Sequence, residues 1–83
     1  RKYFFYVLKT ADNYLYAGTT NDVQKRFSAH QNRKGAKFTK PASRHPLTLV
    51  FTKEFNSKSE ALSFENKFKK LKRDEKENYI NLK

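Results

Sequence analysis

The sequence contains no cysteine. Neither a disulfide framework nor a thiolate metal site can form, and a secreted scaffold stapled by disulfides is excluded. Long apolar runs are missing too: none approaches the ~20 residues of a membrane span. The opening Arg1-Lys2 leads into no signal-like apolar region or cleavage site, so a soluble, cytoplasmic protein without membrane contact is expected. Two domains do not fit in 83 residues, and a single domain over 1–83 is the expectation. A chain of this size buries roughly 60% of its unfolded surface, so its stability is modest. There is no internal repeat, long linker or low-complexity tail. Negative charge is scarce: 8 Asp and Glu face 19 Lys and Arg, for a formal net charge of +11. None of the acidic residues lies between Asp22 and Glu54, whereas Lys25, Arg26, Arg33, Lys34, Lys37, Lys40 and Arg44 all do. Self-repulsion of this kind weakens a compact state unless a polyanion relieves it. Nucleic acid is therefore the expected partner, since phosphate contacts dominate such affinities. An anionic membrane suits the run less well, because no long amphipathic helix with a bulky apolar face coincides with it.

Aromatic residues are plentiful, with eight Phe and five Tyr to build a core. Residues 3 to 9 read as a strand in which Tyr3, Phe5 and Val7 face one way and Phe4, Tyr6 and Leu8 the other. Both faces are apolar, so this strand should be central and covered on both sides. Ala11-Asp12-Asn13 is turn chemistry and Tyr14 to Gly18 is extended again, which makes a hairpin. A helix follows, with Asn21 and Gln24 spaced as a capping box, Val23, Phe27 and His30 on one face, and Gly35 as its stop. Residues 35 to 46 hold Gly35, Pro41, Pro46 and several cations, and read as an exposed loop facing the polyanion. Leu47 to Phe55 alternates as a third strand. Ser57 with Glu60 opens a second helix running towards residue 72, with Ala61, Phe64, Phe68 and Leu71 as its apolar seam. Asp74 is the expected cap of a last short helix that docks Tyr79, Ile80 and Leu82. The order β-β-α-β-α-α predicts an α/β (α+β) fold.

Polar residues stand where apolar ones would pack more simply. Arg26 and His30 are four apart, on adjoining turns of one helix face. Glu65 lies inside the apolar arc of Ala61, Phe64 and Phe68, where a carboxylate is costly unless paired or bound to a metal. Each has a plainer reading: His30 as a satisfied helix histidine, Arg26 laying its stem over the core, Glu65 paired with Lys69. Tyr6 and Tyr16 alone could be core or stacking residues.

Their joint pattern is more specific. Tyr6, Tyr16 and Arg26 are spaced ten and ten, then come His30 and Glu65. With Phe4-Phe5-Tyr6 and Tyr16-Ala17-Gly18 as its two tripeptides, the chain resembles the GIY-YIG nuclease superfamily. Asn21-Asp22-Val23-Gln24-Lys25-Arg26-Phe27, Lys34-Gly35-Ala36-Lys37-Phe38-Thr39 and Lys58-Ser59-Glu60-Ala61-Leu62 look like its small stand-alone bacterial members, and the resemblance covers residues 3 to 80. Phe4 replaces the glycine of the first tripeptide, which removes no reacting group. A late Asn of the family falls near Asn78 and is left out of the site.

The resemblance implies a central three-stranded antiparallel sheet flanked by helices and a metal-dependent DNA endonuclease that hydrolyses phosphodiester bonds, in repair or recombination. It implies Glu65 as ligand of one divalent ion, Mg²⁺ or Mn²⁺, and Arg26 as the cation on the scissile phosphate. Tyr6 and Tyr16 would position or deprotonate the attacking water, with His30 assisting. A phenol of pKa near 10 needs the nearby cation and metal to lower it for that task. Lys25, Arg33, Lys34, Lys37, Lys40 and Arg44 are the expected DNA contacts, with a protein partner supplying specificity. Two other readings stand beside this one. The first is a non-catalytic nucleic-acid-binding module of the same fold. The second is a base-stacking platform built on Tyr3-Phe4-Phe5-Tyr6, although sheets of that kind begin β-α-β.

Overall fold

The computed structural model describes residues 2–32, 34 and 39–81. Three strands, β1 (Tyr3–Lys9), β2 (Leu15–Thr20) and β3 (Thr48–Phe55), carry the helices α1 (Val23–Gln31), α2 (Lys58–Lys69) and α3 (Arg73–Tyr79). The chain order is β-β-α-β-α-α, as expected, with a short 3-10 turn at Ala42–Arg44 ahead of β3. All pairing is antiparallel and the strand order is β2-β1-β3, so β1 is central. Among the described residues, no helix is long and apolar enough to cross a membrane.

The two apolar faces of β1 explain its place. On one face Phe5 and Val7 pack with Ala17, Phe68 and Ile80 beneath α2 and α3. The Phe5 ring meets Phe64 and Phe68 edge-on at 4.9 and 5.0 Å, the geometry that ring quadrupoles favour. On the other face Tyr6 and Leu8 pack with Leu47, Tyr16, Phe27 and Leu49 beneath α1. Each fully buried apolar side chain of this kind contributes about 1.5–3 kcal/mol.

Local chemistry sets the ends of most elements. The hairpin turns at Asn13, whose φ of 72° lies in the left-handed region that Asn tolerates. Thr10 braces it, accepting from the Tyr14 amide through its hydroxyl at 2.8 Å. The cap of α1 is Asp22 rather than Asn21: the Asp22 carboxylate accepts from the Lys25 amide at 3.1 Å. Pairing with Phe4 and Phe5 carries β2 on to Thr20, whose hydroxyl then accepts from the Asp22 amide ahead of the helix. Helix α1 ends at Gln31, capped by Asn32, so it stops ahead of Gly35, the expected end; Gly35 itself and Leu82 lie outside the described residues. Ser57 caps α2 as expected, and α2 ends at Lys69 rather than near 72. Helix α3 begins one residue before Asp74, because the Glu75 carboxylate accepts from the Lys72 amide and closes the first turn earlier.

One expectation about β3 fails. Strict alternation would put Leu49 and Phe51 on one face. A register shift between Val7 and Leu8 instead pairs Val7 with Phe51 and Leu8 with Leu49. The resulting bulge turns Phe51 towards the Phe5 core and Leu49 towards the Tyr6 core, as an extra residue in one strand does.

Candidate active site

Alternation and register bring the two tyrosines together. Tyr6 is opposite Gly18 and Leu8 is opposite Tyr16, so both phenols lie on the α1 face, diagonal to each other. Gly18 is required by space. A Cβ built there would stand 2.6 Å from Tyr6 Oη and 2.8 Å from Tyr6 Cζ. Tyr6 is only 2% exposed and has no room to yield. Gly18→Ala is therefore expected to cost about 1–3 kcal/mol by overpacking and to pull the Tyr6 hydroxyl off its partner. Urea denaturation together with ring NMR shifts at residue 6 checks both effects.

That partner is His30, brought up by α1 and fully buried. Tyr6 Oη lies 3.0 Å from His30 Nε2, and His30 Nδ1 lies 2.7 Å from the Thr39 hydroxyl. Tyr16 sets its ring edge-on to the same imidazole at 5.3 Å. His45 Nε2–H donates to the Thr39 carbonyl at 2.6 Å. Arg26, on the helical turn before His30, sets its positive charge near enough to the Tyr6 hydroxyl to act on it.

The arginine by itself does not lower the Tyr6 phenol. Burial, and then the neighbouring Tyr16, push the Tyr6 phenol up to about 12. Arg26 pulls the other way without prevailing, and Glu65 adds to the rise. A phenolate removed from water loses more solvation than one guanidinium returns. Burial also lowers His30, helped by the positive charge of Arg26 and by His45. At neutral pH the pair is thus a protonated phenol beside a neutral imidazole.

Glu65 comes from α2, which packs on the Phe5 face of the sheet but reaches the β2 edge, where its ion-pair partner Lys69 lines one groove with Tyr16. The Glu65 side chain is 13% exposed, next to the buried Ala61 and Phe68. It forms an ion pair with Lys69, one turn on, at 2.6 Å. The plainer reading of Glu65 is thus a real contact. Among the described residues no three His, Asp or Glu side chains converge on one point. An ion here would have one carboxylate from the protein. That suits Mg²⁺, which keeps several waters and takes other oxygens from a phosphate.

Two grooves flank β2. One, at its end, is lined by Thr20, Asn21, Asp22, Lys25, Arg26 and Ala29. The other, at its start, is lined by Tyr16 with Lys69 and Lys76. Both carry cations beside the tyrosine and arginine positions, as a phosphate backbone requires. Of the six expected DNA contacts, Lys25, Lys34 and Lys40 are exposed, while Arg33 and Lys37 lie outside the described residues. Arg44 is not part of an exposed group: its guanidinium binds Asp12 at 3.0 Å and lies over the Tyr14 ring. Sequence reasoning passed over Thr39 and His45. Thr39 stood in a segment that resembles the family, but nothing local linked its hydroxyl to a helix nine residues before it.

A family model described as the GIY-YIG catalytic domain matches residues 2–78. The UPF0213 protein of Limosilactobacillus reuteri is 49% identical over 79 residues, covering 95% of this chain and 82% of the relative. The UPF0213 protein YazA of Bacillus subtilis is 51% identical over 78 residues, covering 94% and 77%. A solution NMR structure of a UPF0213 protein from Bacillus halodurans shares 38% identity at a TM-score of 0.63, covering 100% of this chain and 86% of that one. An Enterococcus faecalis protein, also solved by NMR, shares 38% identity at a TM-score of 0.68, covering 98% and 84%.

Proposed function

This chain belongs to the GIY-YIG catalytic-domain family, and from that premise we propose that it is a metal-dependent endonuclease hydrolysing phosphodiester bonds in DNA, with repair or recombination as its setting. The observation that carries the reading is the buried hydrogen bond between Tyr6 Oη and His30 Nε2, with the Arg26 guanidinium beside it. Apolar side chains would fill those places without any polar group to satisfy. A buried phenol–imidazole pair next to an arginine is suited to moving a proton beside an anion.

The chemistry follows from the protonation states. Tyr16 and Tyr6 orient a water near the phosphate. As the water oxygen bonds to phosphorus, its proton passes to Tyr6 Oη and the phenol's own proton passes to His30 Nε2. The phenol therefore never has to exist as a free phenolate, which its pKa of about 12 would oppose. His30 can accept because burial keeps it neutral. The bond to the leaving nucleoside oxygen breaks, and that oxygen takes a proton from solvent. Arg26 offsets the charge gathering on the non-bridging oxygens. Glu65, released from Lys69, would hold the divalent ion, Mg²⁺ or Mn²⁺, whose chemistry when bound is to polarise the phosphate and offset charge on the departing oxygen.

The ion pair between Glu65 and Lys69 favours one rival, a module of the same fold that binds DNA without cutting it. Incubation with flapped, branched, single-stranded and duplex DNA separates the two, using Mg²⁺ or Mn²⁺ and a chelator control. Cleavage that the chelator stops supports the endonuclease, and a preference for flaps or branches supports the repair setting. Binding without cleavage under every condition supports the rival. In either case affinity is expected to fall steeply with salt. Neutralising Lys25, Lys34 and Lys40 should flatten the log–log slope by up to about 0.9 for each phosphate no longer engaged. An unchanged slope would move the binding surface to the Lys67 to Arg73 cluster.

A further inference from the structure

His30 has hydroxyl partners at both ring nitrogens, Tyr6 at Nε2 and Thr39 at Nδ1. A neutral imidazole carries one N–H, so these partners admit two arrangements. Either Nε2–H donates to Tyr6 while Thr39 donates to Nδ1, or Tyr6 donates to Nε2 while Nδ1–H donates to Thr39. Only the second lets Nε2 receive a proton from the phenol.

Donor strength and nearby charge select the second arrangement, and the fold holds Thr39 in place for it. A phenol is a stronger donor and a weaker acceptor than an aliphatic hydroxyl, because its ring draws on the oxygen lone pair. The nearby Arg26 charge acts in the same sense, since a positive charge near Oη makes it a poorer acceptor still. Thr39 is itself held in place. It is fully buried, and its carbonyl accepts from His45 Nε2–H at 2.6 Å. The turn that carries His45 is anchored in turn, with the Arg44 carbonyl accepting from the Ala11 amide at 2.8 Å in the β1–β2 hairpin.

We propose that Thr39 is the positioning residue of this site: its hydroxyl, held from behind by His45, accepts Nδ1–H of His30 and so keeps Nε2 unprotonated and facing the Tyr6 O–H. Its link to catalysis rests on the phosphodiesterase reading above. The tautomer assignment does not.

The test uses the 83-residue chain and two variants, Thr39→Val and Thr39→Ser. Nitrogen-15 NMR of the His30 ring tells the two tautomers apart. The unaltered chain and Thr39→Ser are expected to show Nδ1–H, and Thr39→Val is expected to shift towards Nε2–H. An Nε2–H tautomer in the unaltered chain overturns the proposal, as does a Thr39→Val spectrum that does not change. If Thr39→Val does not fold, the unaltered spectrum still decides the tautomer, and that of Thr39→Ser shows whether the hydroxyl alone maintains it. In a Mn²⁺ cleavage assay Thr39→Val should lower kcat about ten- to hundredfold, the usual effect of losing a partner behind a reacting group. KM should hold and Thr39→Ser should restore the rate. A Thr39→Val chain with the shifted tautomer and an unchanged kcat overturns the positioning role. Absence of cleavage by the unaltered chain overturns the endonuclease reading instead, and leaves the tautomer to be judged on its spectrum.

Discussion

Cleavage by a Tyr6→Phe chain is expected to fall about 10²–10⁴-fold, the range for losing a positioned acid–base group, while DNA binding persists. Phenylalanine keeps the ring and nearly all the volume, so the Tyr6 core with Leu8 and Leu47 stays filled. What disappears is the hydroxyl 3.0 Å from His30 Nε2. Stability should drop by about 1 kcal/mol, the typical value of one buried hydrogen bond. A stacking role predicts the opposite pattern, because Phe stacks as well as Tyr and DNA handling would be unchanged. The phenol has a second signature, at high pH. Its folded-state pKa of about 12 lies above the usual 10, so between those values the unfolded chain gives up a proton that the folded chain keeps. The stability Tyr6 contributes is therefore complete below about pH 10 and is lost as pH rises towards 12. Tyr6→Phe should remove that alkaline loss, and ultraviolet titration should lose its highest phenol step. His30 behaves in the reverse sense. Its folded pKa lies below the usual 6.5, so its contribution is present above that pH and declines as pH falls beneath it. The acid limb of the rate profile is expected below pH 6.5 for the same reason.

Glu65→Gln is expected to abolish divalent-ion binding and metal-dependent cleavage together, since a neutral amide is a poor ligand for a hard cation. The fold should survive. The ion pair with Lys69 has one half-exposed partner and contributes about 0.3–0.5 kcal/mol. Removing a carboxylate that is 13% exposed beside Ala61 and Phe68 relieves a desolvation cost of similar size. Lys69→Met separates the two roles of Glu65. If the ion pair is the whole purpose of the carboxylate, this change lowers stability slightly and leaves Mn²⁺ titrations as they were. If Glu65 holds the metal, removing a competing ammonium 2.6 Å from it should tighten Mn²⁺ binding. Backbone NMR of the three chains during titration reads this directly. Identical titrations for the wild type and Glu65→Gln would sink the metal assignment.

Much of this molecule is legible in its sequence because much of it is local. The two-faced apolar run of residues 3 to 8 is suited to a central strand, and β1 is central. Turn residues at 11 to 13 return the chain, and alternation then puts Tyr6 and Tyr16 on one face whatever lies above them. Ser57 caps α2 through a bond spanning three residues. Where two local signals compete, the sequence does not decide: Asn21 and Asp22 can each cap a helix, and the fold uses Asp22. The site has a different origin. The Tyr6–His30 bond joins residues 24 apart and the His30–Thr39 bond joins a helix to a loop, so neither leaves a periodicity to read. The bulge opposite Val7 and Leu8 exists only between paired strands. Lys69 at i+4 from Glu65 permits an ion pair, and only side-chain placement shows it formed. The phenol's high pKa is likewise a product of packing: residue types told of a nearby arginine, but only the closed core showed that lost solvation outweighs it. Periodicity and capping act over a few residues and are written in the chain. Burial and long-range hydrogen bonds come into being only when distant segments exclude water together.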